Sequence, residues 1–166
     1  MSIESVRGHL AAFGRDGDIR VFDGSSHTVA QAAEQVGTEP ARIAKTLAFL
    51  DPADPGRAIL VVAAGDAKVN GGAFKRRFGG KGSMVPAERL IELTGHPMGG
   101  VCPFANPPSA RVWLDESLRR FAVVYPAAGS HDSAVPIEVD ALETVSGASG
   151  WVDICTGWRE EEPALA

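Results

Sequence analysis

Two stretches of this chain carry residue types and spacings that could do chemistry. In Ile43-Ala-Lys-Thr-Leu-Ala-Phe-Leu50, alternate side chains of a strand fall on opposite faces, so Lys45 shares a face with Leu47 and Phe49, while Ala44, Thr46 and Ala48 face the other way. A lysine on the apolar side of a strand either runs its stem out to water at an edge or points its ammonium into a cleft. In a cleft it would hold an anion or polarise a carbonyl. The second stretch, TGHPMGGVCPFANPP over 94–108, has too much glycine and proline for helix or strand and too little polarity for a solvent loop. Its backbone N–H and C=O groups must find partners inside the fold or be offered to a ligand. Gly99 and Gly100 would let a ligand approach and expose successive amides, with Pro103 stiffening the far end; the same residues also suit a tight structural turn.

Cys102 lies in that loop, where nearby amides would make a thiol nucleophilic if a base stood beside it. Spacing alone identifies no such base. His9, His27, His96 and His131 are scattered without an i, i+4 pair, and Cys102 and Cys155 form no Cys-x-x-Cys motif, so neither a metal site nor a disulfide framework is expected. The segment GGAFKRRFGGKGS fails the phosphate-loop pattern, since Gly82 stands where a hydroxyl residue is required, and there is no G-x-S-x-G elbow. The densest basic segment is Lys75-Arg76-Arg77, with Lys68 before it and Lys81 after it. It reads as a solvated helix face or as a local phosphate-binding patch.

These groups need a scaffold, and 166 residues suffice for one domain with its own core. The net charge of -5 argues against wholesale non-specific nucleic-acid binding, and Glu160-Glu161-Glu162 makes the C-terminus acidic. No apolar run approaches the ~20 residues that cross a bilayer, and the N-terminus lacks a secretory pattern, so a cytoplasmic protein with reduced thiols is expected. Ile3, Val6, Leu10 and Phe13 predict an amphipathic helix over 2–13, and Thr28 caps a second one to Gln35, closed by Gly37 and followed by a turn at Pro40. KTLAFLD (45–51) and RAILVVAAG (57–65) read as neighbouring strands, parted by Pro52, Asp54, Pro55 and Gly56. Phe74 and Phe78 favour a helix over 70–78 despite Gly71-Gly72, and Pro86 opens one through Leu93. Strands are expected at 19–23, 111–115, 121–126, 134–139 and 151–155, with a helix over 140–146 capped by Asp140. Strands outnumber helices without strict alternation, which predicts an α/β or α+β domain with a mixed sheet.

Five ordered segments resemble the YbaK/ProX family of aminoacyl-tRNA deacylases, which includes the editing domain of bacterial prolyl-tRNA synthetases. They are HTVAQAAEQVGTEPARIAKTLAF (27–49), VVAAGDAKVN (61–70), LTGHPMGGVCPFA (93–105), WLDESLRRFAVVYPAAGSH (113–131) and IEVDALETVSGASGWVDI (137–154). The resemblance implies a single domain over 1–166 with a core of about 19–156, built on a mixed, barrel-like sheet flanked by helices. It implies a hydrolase that removes a small amino acid such as cysteine or alanine from mischarged tRNA, chiefly tRNA for proline, with no metal or organic cofactor. Prolyl-tRNA synthetase is an implied partner, and a membrane is not.

In that family the strand lysine, here Lys45, lines the pocket and matters for activity, and the loop Gly99–Pro103 faces the aminoacyl ester. Lys45, Gly99 and Gly100 are thus the candidate catalytic residues. Val101, Cys102, Pro103, Phe104, Ala128, Gly129, His27 and His131 are the candidate substrate-binding residues, and Lys68, Lys75, Arg76, Arg77 and Lys81 are the candidate tRNA contacts. Two departures bear on specificity. Relatives commonly have serine where Cys102 stands, and many carry a hydroxyl residue before the Ala-Gly that here reads Ala127-Ala128-Gly129. Two other readings stay open at this point: a non-catalytic module that binds aminoacyl-tRNA or a synthetase, and a hydrolase that uses Cys102.

Overall fold

The structure, a computed structural model, describes residues 2–24 and 28–159; His27 and the acidic run Glu160–Glu162 lie outside the described residues. In chain order it runs α1 (Ser2–Ala11), β1 (Arg20–Val21), α2 (Val29–Val36), β2 (Ile43–Asp51), β3 (Asp54–Ala64), β4 (Lys68–Val69) and α3 (Gly71–Phe78). There follow β5 (Ser83–Met84), α4 (Leu90–Thr94), β6 (Arg111–Asp115), β7 (Val123–Pro126), β8 (Ser133–Ala134), β9 (Ile137–Glu138), α5 (Val139–Ser146), β10 (Gly150–Val152) and β11 (Cys155–Thr156). The result is a mixed α/β domain whose sheet curls into a half-barrel.

The β2–β3 hairpin is the spine, paired from Ala44↔Ala64 to Phe49↔Ile59. From Ala58 to Ala64 every residue of β3 is buried, the unbroken apolar run expected of a strand covered on both faces. The main sheet has the order β10-β6-β3-β2-β7-β9, with β5 also on β2; β6 runs parallel to β3, and β7 parallel to β2. α3 seals one face. Asn70 caps it by accepting from the amide of Ala73 at 2.9 Å, and its Phe74 fills the space between Phe49 and Phe78, at ring separations of 4.6 and 4.7 Å. A fully buried side chain of this size contributes roughly 1.5–3 kcal/mol, enough to outweigh the helix cost of Gly71 and Gly72.

Several boundaries differ from expectation for identifiable reasons. Pro55 and Gly56 fall inside β3, because the chain reverses at Pro52-Ala53, where Asp51 Oδ1 accepts from the amide of Ala53 at 2.9 Å. The segment 134–139 is not one strand: Pro136 interrupts it, leaving β8 on β1 and β9 on β7. Likewise 151–155 divides between β10 on β6 and β11 on β4, where the buried Asp115 carboxylate accepts from the amide of Ile154 at 3.0 Å and bends the chain. α5 starts one residue earlier than predicted, with Glu138 rather than Asp140 at its cap position.

Candidate active site

The sheet is split beside β2. At one end β7 pairs with Ile43 and Ala44, at the other β5 pairs with Phe49 and Leu50, and both strands lie along the same edge. The edge between them is uncovered and opens into a cavity of about 410 Å³. Residues 43–48 of β2 line it, the first turn of α2 contributes Thr28 and Val29, and Met84 and Leu90 close the side toward β5. Opposite stand Met98, Gly99 and Val101 of the glycine loop, and Ala127, Ser133 and Ala134. The wall is mostly apolar and, along Ala44, Ala48, Ala127 and Ala134, built of the smallest side chains.

Besides Thr28, Tyr125 and Ser133, two neighbouring residues of β2 bring polar side chains to this cavity. Half-buried Lys45 donates from its ammonium to the carbonyl of Ala67, with the Gly65 carbonyl at 3.5 Å, so the three N–H bonds are not all spent. Burial lowers its pKa, partly offset by Cys155 and by the carboxylate of Asp66. Asp66 is itself clamped by Arg120, which donates Nη1 and Nη2 at 3.0 and 2.6 Å, and these bonds hold its carboxyl below the usual range. Gly65 has to be glycine, since a Cβ there would lie 2.0 Å from the carbonyl oxygen of Pro40. The turn 65–67 that receives the ammonium is therefore fixed from two sides.

The second residue, Thr46, was not singled out from the sequence. Its buried Oγ1 has no hydrogen-bond partner among the described residues. The amide of Val85 donates to Ala48 O at 2.9 Å, so the main-chain groups of Ala44, Thr46 and Ala48 face the split edge, because these groups alternate along a strand. The Ala48 carbonyl is taken by Val85, just past β5, and Ala44 lies opposite Pro126, which leaves Thr46 in the gap. A hydroxyl between two alanines on the small-residue face was the available signal.

The glycine loop resolves its backbone problem internally. Asn106 Nδ2 donates to Thr94 O at 2.8 Å and to Cys102 O at 3.0 Å, the amide of Gly100 donates to Pro97 O at 3.0 Å, and Thr94 Oγ1 donates to Leu90 O at 2.7 Å. Only Met98, Gly99 and Val101 of the loop reach the cavity. Gly100 does not: it is buried, its amide is used in the turn, and a Cβ on it would meet Gly129 O at 2.5 Å. Its lack of a side chain serves backbone packing rather than ligand approach. The same revision applies to Cys102, Pro103, Phe104, Ala128 and Gly129, all buried behind the wall and off the cavity surface. His131 is exposed on the turn 128–133 and does not line the cavity either.

Cys102 does have a histidine neighbour, with His96 Nε2 at 3.4 Å from its sulfur. That nitrogen lies 2.7 Å from Phe104 O and must donate to it, while Nδ1 accepts from Ser2 Oγ. His96 thus has no lone pair to offer the thiol, and burial pushes Cys102 up to about 12. Cys102 is a packed thiol, not an activated nucleophile. Among the described residues no three His, Cys, Asp or Glu side chains are grouped to hold a metal ion.

The basic residues do not line the cavity, but Lys68 stands close enough to Lys45 for its charge to add to the lowering of that lysine's pKa. Lys75, Arg76 and Arg77 are exposed on α3, and Lys68 and Lys81 are exposed nearby in the chain. The guanidinium carbon of Arg77 lies over the Trp113 ring, 4.5 Å from its centre, within cation–π range. No helix among the described residues is long and apolar enough to cross a membrane.

The model of the aminoacyl-tRNA editing domain matches residues 23–145. The uncharacterized protein YwhH of Bacillus subtilis (strain 168) is 43% identical over 159 residues, which are 96% of this chain and 100% of the relative. The crystal structure of hypothetical protein APE2540 has a TM-score of 0.79 at 30% identity and covers 92% of this chain and 99% of that one. A candidate trans-editing enzyme for prolyl-tRNA synthetase has a TM-score of 0.83 at 28% identity, with 94% and 98% covered. Together with the strand lysine and the glycine loop meeting at one cavity, these matches place the chain in the aminoacyl-tRNA editing domain family, of the YbaK-like type.

Proposed function

We propose that this protein is a trans-editing deacylase that hydrolyses the ester of a mischarged aminoacyl-tRNA carrying a small amino acid such as cysteine or alanine, with tRNA for proline as its principal target. The observation that carries the reading is the convergence of Lys45, Thr46, Gly99 and Val101 on one mostly apolar cavity, part of whose wall is built of alanines. The aminoacyl ester is already activated, so its hydrolysis requires placement of the attacking oxygen and stabilisation of the oxyanion more than a dedicated nucleophile. The Lys45 ammonium, held at the 65–67 turn, would orient the terminal ribose or its phosphate. The amides of Gly99 and Val101 would receive the developing oxyanion, and the unpartnered Thr46 hydroxyl and main chain would take a polar group of the aminoacyl moiety. A terminal ribose hydroxyl or a water would supply the attack.

Size gives the selectivity. A synthetase discriminates weakly against a smaller side chain, whereas a second site with small-residue walls admits the error and leaves the larger cognate residue misplaced. Lys68, Lys75, Arg76 and Lys81, exposed as they are, would contact acceptor-stem phosphates through bonds that weaken with salt.

The test is a panel of differently mischarged tRNAs, assayed for release of the amino acid by the wild type and by Lys45→Ala. A small amino acid is expected to be released by the wild type, with the variant folded and inactive. Undiminished turnover by Lys45→Ala removes the lysine from the mechanism. Tight binding of charged tRNA without faster ester loss instead makes the protein a binding module.

A further inference from the structure

The glycine loop is held from behind by a helix that touches neither the cavity nor the basic surface. α1 lies outside the matched family region, which begins at residue 23. At its first residue, Ser2 Oγ donates to Nδ1 of the buried His96, at the start of the loop. Beside this bond the backbones stack in three layers: a Cβ on Gly100 would strike Gly129, and a Cβ on Gly129 would lie 2.7 Å from Ser2 O. Seven residues further along α1, His9 donates from Nε2 to Val145 O of α5 at 2.6 Å and accepts at Nδ1 from the amide of Ala105 at 3.1 Å. Its ring also lies 5.8 Å from that of Phe104.

Ala105 lies in the far part of the loop, beyond Pro103, and among the described residues it alone has a positive φ without being glycine, at 56°. A residue with a Cβ keeps that conformation only where its surroundings hold it. The bond to His9 is such a hold, because it fixes the direction of the Ala105 N–H. α1 therefore grips the loop on either side of its glycines, at His96 and Ala105, and backs its middle, and the segment between the grips carries Gly99 and Val101 into the cavity.

We propose that α1 is a brace that sets the shape of the glycine loop, and that His9 is a positioning residue which holds Ala105 in its left-handed conformation. For its kinetic consequence the proposal rests on the deacylase reading above; for its structural consequence it does not. A helix remote from the substrate then governs the rate rather than the binding of the ester.

The test uses the full chain with His9→Ala, His9→Asn and the double variant His9→Ala/Ala105→Gly, measured by amide hydrogen exchange at residue 105 and by single-turnover deacylation. In His9→Ala the Ala105 amide should exchange at least about tenfold faster, since its acceptor is gone. The turnover rate should fall roughly 10- to 100-fold, with KM changed by less than about threefold. His9→Asn, whose side-chain oxygen can take the place of Nδ1, should restore both. The double variant should recover most of the rate, because glycine accepts a positive φ without support. Unchanged exchange at Ala105 in His9→Ala overturns the brace, as does a lost rate that neither His9→Asn nor the glycine substitution recovers. If no charged tRNA is a substrate, the deacylase reading fails, and the exchange measurement alone still decides the proposal.

Discussion

Replacing Gly100 with alanine tests the packing behind the cavity wall. The added methyl would lie 2.5 Å from Gly129 O, 2.6 Å from Gly129 C and 2.9 Å from the amide nitrogen of Ser130, all backbone atoms with no rotamer to adopt. Relief to an ordinary contact needs a shift of roughly 1 Å. Gly129 cannot supply it, because its own open face is pressed on the backbone of Ser2. The glycine loop must move instead, toward the cavity that Gly99 and Val101 line. Overpacking of this kind costs about 1–3 kcal/mol, which for a chain of this size lowers Tm by roughly 2–10 °C. A displacement of about 1 Å at a reacting centre costs roughly 100-fold in rate. Single-turnover deacylation of a mischarged tRNA and a thermal melt read the two effects separately. Gly14→Ala serves as the control: at φ 72° with nothing within 4 Å of the new methyl, it should cost about 1 kcal/mol and leave the rate alone. A Gly100→Ala protein with wild-type rate and Tm would refute the three-layer packing and its role.

Two further outcomes are expected. Cys102→Ser should retain deacylation within about threefold, and iodoacetamide should label Cys102 only after unfolding, because the thiol is buried, held up at about 12 and without a base. Loss of activity in that variant would reinstate the cysteine mechanism. For His96, burial lowers the folded-state pKa, opposed in part by the bond to Phe104, so the unfolded chain takes up the proton first as pH falls below about 6.5. Its contribution is fully present above that value and is lost toward the lower folded pKa, with a slope of at most about 1.4 kcal/mol per pH unit. Urea unfolding at pH 7.5 and pH 5.5 should show a larger acid loss for the wild type than for His96→Asn; equal losses would contradict the buried, neutral assignment.

The hairpin and its lysine were legible because they depend on local rules. Period-2 alternation put Lys45 opposite Thr46, the turn residues near Pro52 divided β2 from β3, and capping chemistry fixed Thr28, where the observed capping box closes with Gln31. The split beside β2 was not legible, since β5 is a two-residue strand and has no period to detect. Composition could not tell a glycine that admits a ligand from one that admits another backbone, so Gly99 and Gly100 read alike although only Gly99 reaches the cavity. Nor could it bring His96 to Cys102 or His9 to Ala105, the latter pair 96 positions apart along the chain. Residue pattern singled out the loop and the lysine, and the family resemblance added the roles it implies for them; neither separated the residues that form the wall from those that support it.

The interruption of the sheet beside β2 also determines how this architecture can vary. The aperture spans the few residues of β2 between the places where β7 and β5 attach, so lengthening or shortening either flanking segment would widen or narrow the entrance while the hairpin keeps its register. On the proposed deacylase reading, selectivity can then drift through small changes at the periphery, and the ammonium and its turn need not be rebuilt for each new substrate.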